Sequence, residues 1–203
     1  MTGPLDGYRV LELTTTVSGP MAAMMLADQG AEVIKIEPPM IGDSARYLGS
    51  QRGGVSAVFT VLNRNKQSVC LDLKDERQKE IFLSLVDTAD ALIENYRPGK
   101  MDALGLGWET LSARNPRLVY AAITGYGPDG PYKNRRVYDP LIQATTGAAA
   151  LQGGAKPELI QMIIFDKVTA LTTAQAVTAA LLQRAKTGRG QYLSVPMVDA
   201  ALQ

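Results

Sequence analysis

Histidine is absent from all 203 residues, and that absence excludes more chemistry than any residue present. No Ser/His/Asp triad, Cys/His dyad, His-ligated metal or imidazole base can form within the chain. Cysteine occurs once, at Cys70, so an internal disulfide framework and a cysteine-based zinc site are both excluded, and a reducing compartment suits the sequence. Cys70 lies in an alternating apolar run and is expected to be a core thiol. An excess of charge of one sign is also lacking. The 21 Lys and Arg stand against 20 Asp and Glu, a net charge of +1, so no global field draws the chain to nucleic acid or to an anionic membrane. No basic stretch followed by an apolar one opens the sequence, and the expected location is cytoplasmic. Any catalysis falls to carboxylates, lysine, tyrosine, hydroxyls or a borrowed cofactor.

What is present alternates between strand-like and helix-like segments. Residues 8–14 are β-branched and apolar and run into the turn Thr15–Pro20; residues 21–29 have helical composition, and Gly30 supplies a stop. Residues 31–37 form the next strand before Pro38 and Pro39, so the first forty residues make a βαβ unit. Strands are expected again over 68–73, 89–96, 118–124 and 192–197, with helices over 75–88 and 108–114. The stretch 168–183 carries no charge, and a long helix is expected from about 167 to 186, capped by Gly188. Its threonines and Gln175 make it too polar for a membrane span, which takes roughly 20 apolar residues. This alternation predicts an α/β protein with an open, mostly parallel, Rossmann-like sheet flanked by helices. Residues 198–203 read like an element cut short.

Several residues invite a functional reading beside a plainer one. Gly125, Gly127 and Gly130 spell GxGxxG after a strand, but Pro128 and Pro131 interrupt the run and no helix opens on the glycines, which fits an irregular loop better than a dinucleotide site. The Thr14–Pro20 turn delivers the chain to a helix N-terminus, where free amides favour an anion. Lys74, Asn95, Tyr96 and Arg97 follow predicted strands and could share the ligand-binding rim of a parallel sheet or be ordinary loop residues. Asp166 closes the apolar run Met162–Phe165 just before the long helix. It is either an N-cap or a partly desolvated carboxylate able to attack an activated acyl group.

These segments together carry a resemblance. LDGYRVLELT at 5–14, VSGPMAAMMLADQGAEVIKIEPPMIGDSAR at 17–46, NRNKQSVCLDLK at 63–74, ADALIENYRPG at 89–99 and LGLGWETLSARNPRLVYAAITGYG at 104–127 all resemble family III CoA-transferases. So do YDPLIQATTGA at 138–148, Phe165 with Asp166, and TGRGQ at 187–191. The group includes formyl-CoA transferases, carnitine-CoA transferases and α-methylacyl-CoA racemases.

The resemblance implies that residues 1–203 are the N-terminal portion of a Rossmann-like large domain. The small domain and the C-terminal return segment would lie outside this chain, which alone would be inactive and poorly stable, and the full-length form would be an interlocked homodimer. It implies coenzyme A, as an acyl-CoA substrate, and a small carboxylic acid as ligands, with Asp166 as covalent acyl carrier and no metal. Positions that contact CoA in the family fall on Val17, Leu71, Lys74, Asn95, Tyr96, Leu104 and Arg136. Pro38 and Ala103 stand where formyl-CoA transferases have arginines, leaving Arg97 and Lys100 to compensate. Tyr138, followed by Asp139, stands where the racemase branch has a histidine base, which favours CoA transfer over racemisation. A non-catalytic CoA-binding fragment is the reading from a different class.

Overall fold

The computed structural model describes residues 3–203. Strand β1 (Arg9–Leu13) leads into helix α1 (Ser18–Asp28) and returns as β2 (Glu32–Glu37), the expected βαβ unit. Helix α1 begins before Pro20; the first helical amides have no partner within the helix, so a proline three residues in costs nothing there. A 3-10 turn (Ser44–Tyr47) and a hairpin of β3 (Gln51–Arg52) and β4 (Val55–Ser56) follow, then α2 (Ala57–Leu62). The chain continues through β5 (Lys66–Cys70), α3 (Glu76–Val86), β6 (Ala91–Glu94), α4 (Lys100–Ala103), α5 (Trp108–Arg114) and β7 (Val119–Thr124). It ends with α6 (Asp139–Thr145), α7 (Ala148–Gly153), the 24-residue α8 (Ile164–Thr187), β8 (Gln191–Pro196) and α9 (Met197–Ala201).

Six strands form one sheet in the order β5-β2-β1-β6-β7-β8, and every pairing is parallel. Counted along this sheet alone, the order is 3-2-1-4-5-6, that of a doubly wound nucleotide-binding fold. The α/β expectation therefore holds, down to its parallel sheet. Alternate residues feed two cores. Val10, Ile93, Val119 and Ala121 pack under α1 and α8, whereas Leu11, Leu92, Tyr120 and Ala122 pack under α3, α4 and α5. Parallel strands covered on both faces read as near-continuous apolar runs, which is why β1, β2, β6 and β7 were visible in the sequence.

The expected strand at 68–73 pairs two to three residues earlier, as β5, and Cys70 is exposed rather than buried in a core. The cause is position. β5 is the sheet's edge strand, and three of its five residues are exposed, so alternation there does not mark a core face. The long helix starts at Ile164, three residues before its expected start, so Asp166 sits in its first turn rather than capping it. Among the described residues no helix is long and apolar enough to cross a membrane.

Candidate active site

In a doubly wound sheet, ligands bind outside the carboxyl ends of the strands where the winding reverses, here between β1 and β6. A cavity of about 350 Å3 opens there. Thr15, Thr16, Val17 and Ser18, leaving β1, form one wall, and Asn95, Tyr96, Arg97 and Pro98, leaving β6, form the next. The ends of β7 and β8 contribute Thr124, Gly125 and Met197, while Lys133, Arg135, Arg136, Val137 and Tyr138 close the far side. Asp166 reaches the cavity from the first turn of α8. Gly125 permits the closure: a Cβ there would stand 2.6 Å from Val137 Cγ1, so the β7 loop could not approach the 133–138 segment.

Asp166 is the carboxylate placed for chemistry. Burial pushes its carboxyl up and the Asp139 carboxylate pushes it further, while the facing Ser18 hydroxyl and backbone amide pull it partly back, leaving it at about 6. Such a group is mostly ionised at neutral pH yet more basic than an ordinary aspartate, a combination suited to a nucleophile. Two helix N-termini converge on it, those of α1 through Ser18 and of α8, and both favour its anionic form.

The walls rest on buried charge. Lys35 Nζ lies 2.7 Å from Glu12 Oε1 and 2.9 Å from Asp43 Oδ2, and Lys66 Nζ lies 2.7 Å from Glu12 Oε2, with all four side chains at most 2% exposed. Burial alone would raise Glu12, but the two lysines outweigh it and hold it below its ordinary value. Glu37 accepts from the Asp43 amide, from Arg46 and from Ser68, fixing the loop after β2. On the other face Glu94 accepts from the Tyr96 amide at 2.7 Å; burial pushes its carboxyl up to about 8, so it is a neutral acid at pH 7.

Of the residues singled out in the sequence, Val17, Asn95, Tyr96, Arg97, Arg136, Tyr138 and Asp166 meet at this one cavity. Tyr138 is 68% exposed at its mouth. Leu71 and Leu104 pack instead with the core under α3, α4 and α5, Lys74 is exposed after β5, and Asp139 is buried behind the cavity, bonded to the start of α8. Lys100 is exposed on α4 and is not in the cavity wall. Sequence reasoning took in Ser18 only as part of the Thr14–Pro20 turn and passed over Lys133 and Arg135. The basic run Lys133, Arg135, Arg136 was a visible signal; Arg135 also stacks on Tyr132, 4.0 Å from the ring centre, which orders the run. Nothing local in the sequence marks Ser18 as a partner of Asp166, 148 residues away. The glycines at 125, 127 and 130 lie in an irregular loop with no helix opening on them.

Fold and site define a doubly wound α/β protein whose switch-point cavity is lined by a partly desolvated carboxylate and by several cations. The model of CoA-transferase family III matches residues 5–203, and the chain belongs to that family. It is 43% identical to a probable fatty acyl-CoA transferase of Mycobacterium tuberculosis, over 98% of this chain and 52% of that protein. It is 40% identical to an acetyl-CoA:oxalate CoA-transferase of Acetobacter aceti, with the same coverage of 98% and 52%. A crystal structure of a CAIB/BAIF family protein from Brucella suis superposes with a TM-score of 0.93 at 39% identity, covering 98% of this chain and 55% of that one. The chain thus spans about half the length of the curated relatives it matches.

Proposed function

We propose that this chain carries the nucleophile and much of the CoA site of an acyl-CoA:carboxylate CoA-transferase, with Asp166 as covalent acyl carrier. The observation that carries the reading is Asp166 itself, a partly desolvated carboxylate at about 6 that lines the switch-point cavity together with Arg97, Lys133, Arg135 and Arg136. The cations suit the phosphates of coenzyme A, and the cavity between them suits the thioester end. Relatives named as formyl-CoA:oxalate and acetyl-CoA:oxalate CoA-transferases make a small carboxylic acid the fitting acceptor class.

In the proposed sequence, an Asp166 oxygen attacks the thioester carbonyl, the C–S bond breaks, and a mixed anhydride and CoA thiolate result. The thiolate attacks the Asp166 carbonyl of the anhydride and releases the donor acid, leaving an aspartyl-CoA thioester. The acceptor carboxylate attacks that thioester and expels the thiolate, forming a second anhydride, and the thiolate then takes the acceptor's acyl group and frees Asp166. No proton transfer by histidine enters any step. The whole activity belongs to a longer protein of the relatives' length, which we expect to be an interlocked homodimer acting in the cytoplasm.

The test uses the full-length protein with acyl-CoA and hydroxylamine. Asp166 should be recovered as a hydroxamate in the parent, and Asp166→Asn should abolish CoA exchange while the fold survives. Normal exchange in Asp166→Asn would end this reading.

A further inference from the structure

The loop between β1 and α1 is held in its shape by side chains that belong to other elements. Thr16 has φ +74°, a left-handed conformation that a β-branched residue rarely adopts, so its surroundings must impose it. Asn95 Oδ1 accepts from the Thr15 amide at 3.0 Å, and Asn95 Nδ2 donates to the Thr15 carbonyl at 2.9 Å. Asp43 Oδ1 accepts from the Thr16 amide at 2.9 Å, and Lys35 Nζ donates to the Thr14 carbonyl at 2.8 Å. Four successive backbone polar groups, from the Thr14 carbonyl to the Thr16 amide, therefore end on three side chains from β2, the loop after β2 and the loop after β6. Two residues further on stands Ser18, which faces Asp166. Gly19 lets the turn close, because a Cβ there would fall 2.3 Å from Thr14 Cγ2.

We propose that Asn95 and Asp43 are positioning residues that clamp the Thr14–Thr16 backbone so that Ser18 is presented to the Asp166 carboxylate. The catalytic meaning of the clamp rests on the reading of Asp166 as nucleophile; the clamp itself does not. Asn95 spends both ends of its amide on Thr15, so its part in the site is to lock the β1 wall to the β6 wall. Asp43 ties the same segment to the loop after β2 and is itself fixed by Lys35 and by the Glu37 carboxylate that binds its amide. Losing the clamp frees Ser18 to move away, and Asp166 is then left with the Asp139 charge from α6 and, across the cavity, with Arg97, Lys133, Arg135, Arg136 and Tyr138.

The experiment needs no turnover. The full-length protein is treated with a carbodiimide and an amine across a range of pH, and modification of Asp166 is followed by peptide mass spectrometry; labelling falls as the carboxyl ionises. In Asn95→Ala, and in Asn95→Ser, whose side chain is too short to reach both Thr15 groups, the midpoint of that fall should move to higher pH. One control should keep the parent midpoint. Asn115→Ala loses two bonds of the same kind, to the Val86 and Ala89 carbonyls, far from the site. An unchanged midpoint in the Asn95 variants, or an equal movement in the control, would overturn the clamp. Because the readout is labelling, that outcome stays distinct from a failure of the nucleophile reading, which shows as CoA exchange in Asp166→Asn.

Discussion

Asp139 Oδ2 accepts from the Phe165 amide at 2.6 Å and from the Asp166 amide at 2.9 Å, so one carboxylate caps the helix that carries the other. The cap comes from α6, 27 residues earlier in the chain. Asp139 Oδ1 is occupied as well, by Gln143 Nε2 at 2.5 Å, and Gln143 in turn accepts from the Ile160 amide at 2.8 Å. The start of α8 and the segment before it are therefore held by one buried pair of side chains. The same contact puts a negative charge beside Asp166, which adds to burial in raising its carboxyl.

Removing the cap should have a measurable cost. Asp139→Ala leaves two partly buried amides at the start of α8 without their acceptor, and loss of such a cap costs about 1 to 2 kcal/mol. Urea unfolding of the full-length protein should show a lower midpoint with an unchanged slope. In Asp139→Asn, which keeps an acceptor but not the charge, Asp166 should ionise at lower pH than in the parent. The hydroxamate yield against pH checks this, and an unmoved profile would remove Asp139 from the electrostatics of the nucleophile.

The Asp166 carboxylate is held at some expense in stability. Its pKa of about 6 lies above the ordinary aspartate value of 3.8, so between those values the folded chain binds the proton more tightly than the unfolded one. The group is then least unfavourable below about pH 4, and its penalty grows as pH rises to 6, reaching on the order of 3 kcal/mol at pH 7. Asp166→Asn should accordingly melt higher than the parent at neutral pH and no higher near pH 4. Thermal melts at the two pH values decide it; equal stability at both would mean that the carboxylate is not strained.

The sheet and the place of Asp166 at the cavity were legible because both leave local marks. β1, β6 and β7 are short apolar runs bounded by turns, α5 ends at the expected Arg114, and the parallel alternation fixes the sheet class. Asp166 stands out as a carboxylate at the end of an apolar run. Its environment was not legible. The cap supplied by Asp139, the hydroxyl supplied by Ser18 and the clamp through Asn95 all join residues distant in sequence, and no periodicity records them. Helices α6 and α7 escaped notice because their Ala, Thr and Gly residues show no amphipathic period. Cys70 was misplaced because an edge strand can alternate without burying either face.

The buried charges beneath the cavity should behave unlike the surface pairs. Lys35→Met leaves Glu12 paired with Lys66 alone and takes from Asp43 its ammonium partner, in a site closed to solvent. Breaking a buried ion group by removing one partner typically costs about 3 to 5 kcal/mol. Arg114→Ala, which breaks an exposed pair with Asp87, should change stability little. Denaturant unfolding at low and high salt separates the two. The Lys35→Met loss should persist at high salt, where exposed ion pairs are screened, and a loss that vanished with salt would mean that water reaches Glu12.

The last expectation separates two reactions open to the family's fold. Racemisation at the carbon beside a thioester needs a base on each side of that carbon, and the cavity offers a carboxylate, Asp166, with Tyr138 at its mouth. A phenol is a poor base toward a carbon acid at neutral pH, and the chain has no histidine to take its place. A 2-methylacyl-CoA incubated with the full-length protein in heavy water should therefore gain no deuterium at the α-carbon beyond the uncatalysed rate. Tyr138→Phe should leave that result unchanged. Rapid incorporation that disappears in Asp166→Asn would instead make Asp166 a proton acceptor toward carbon and would replace the transfer reading with racemisation.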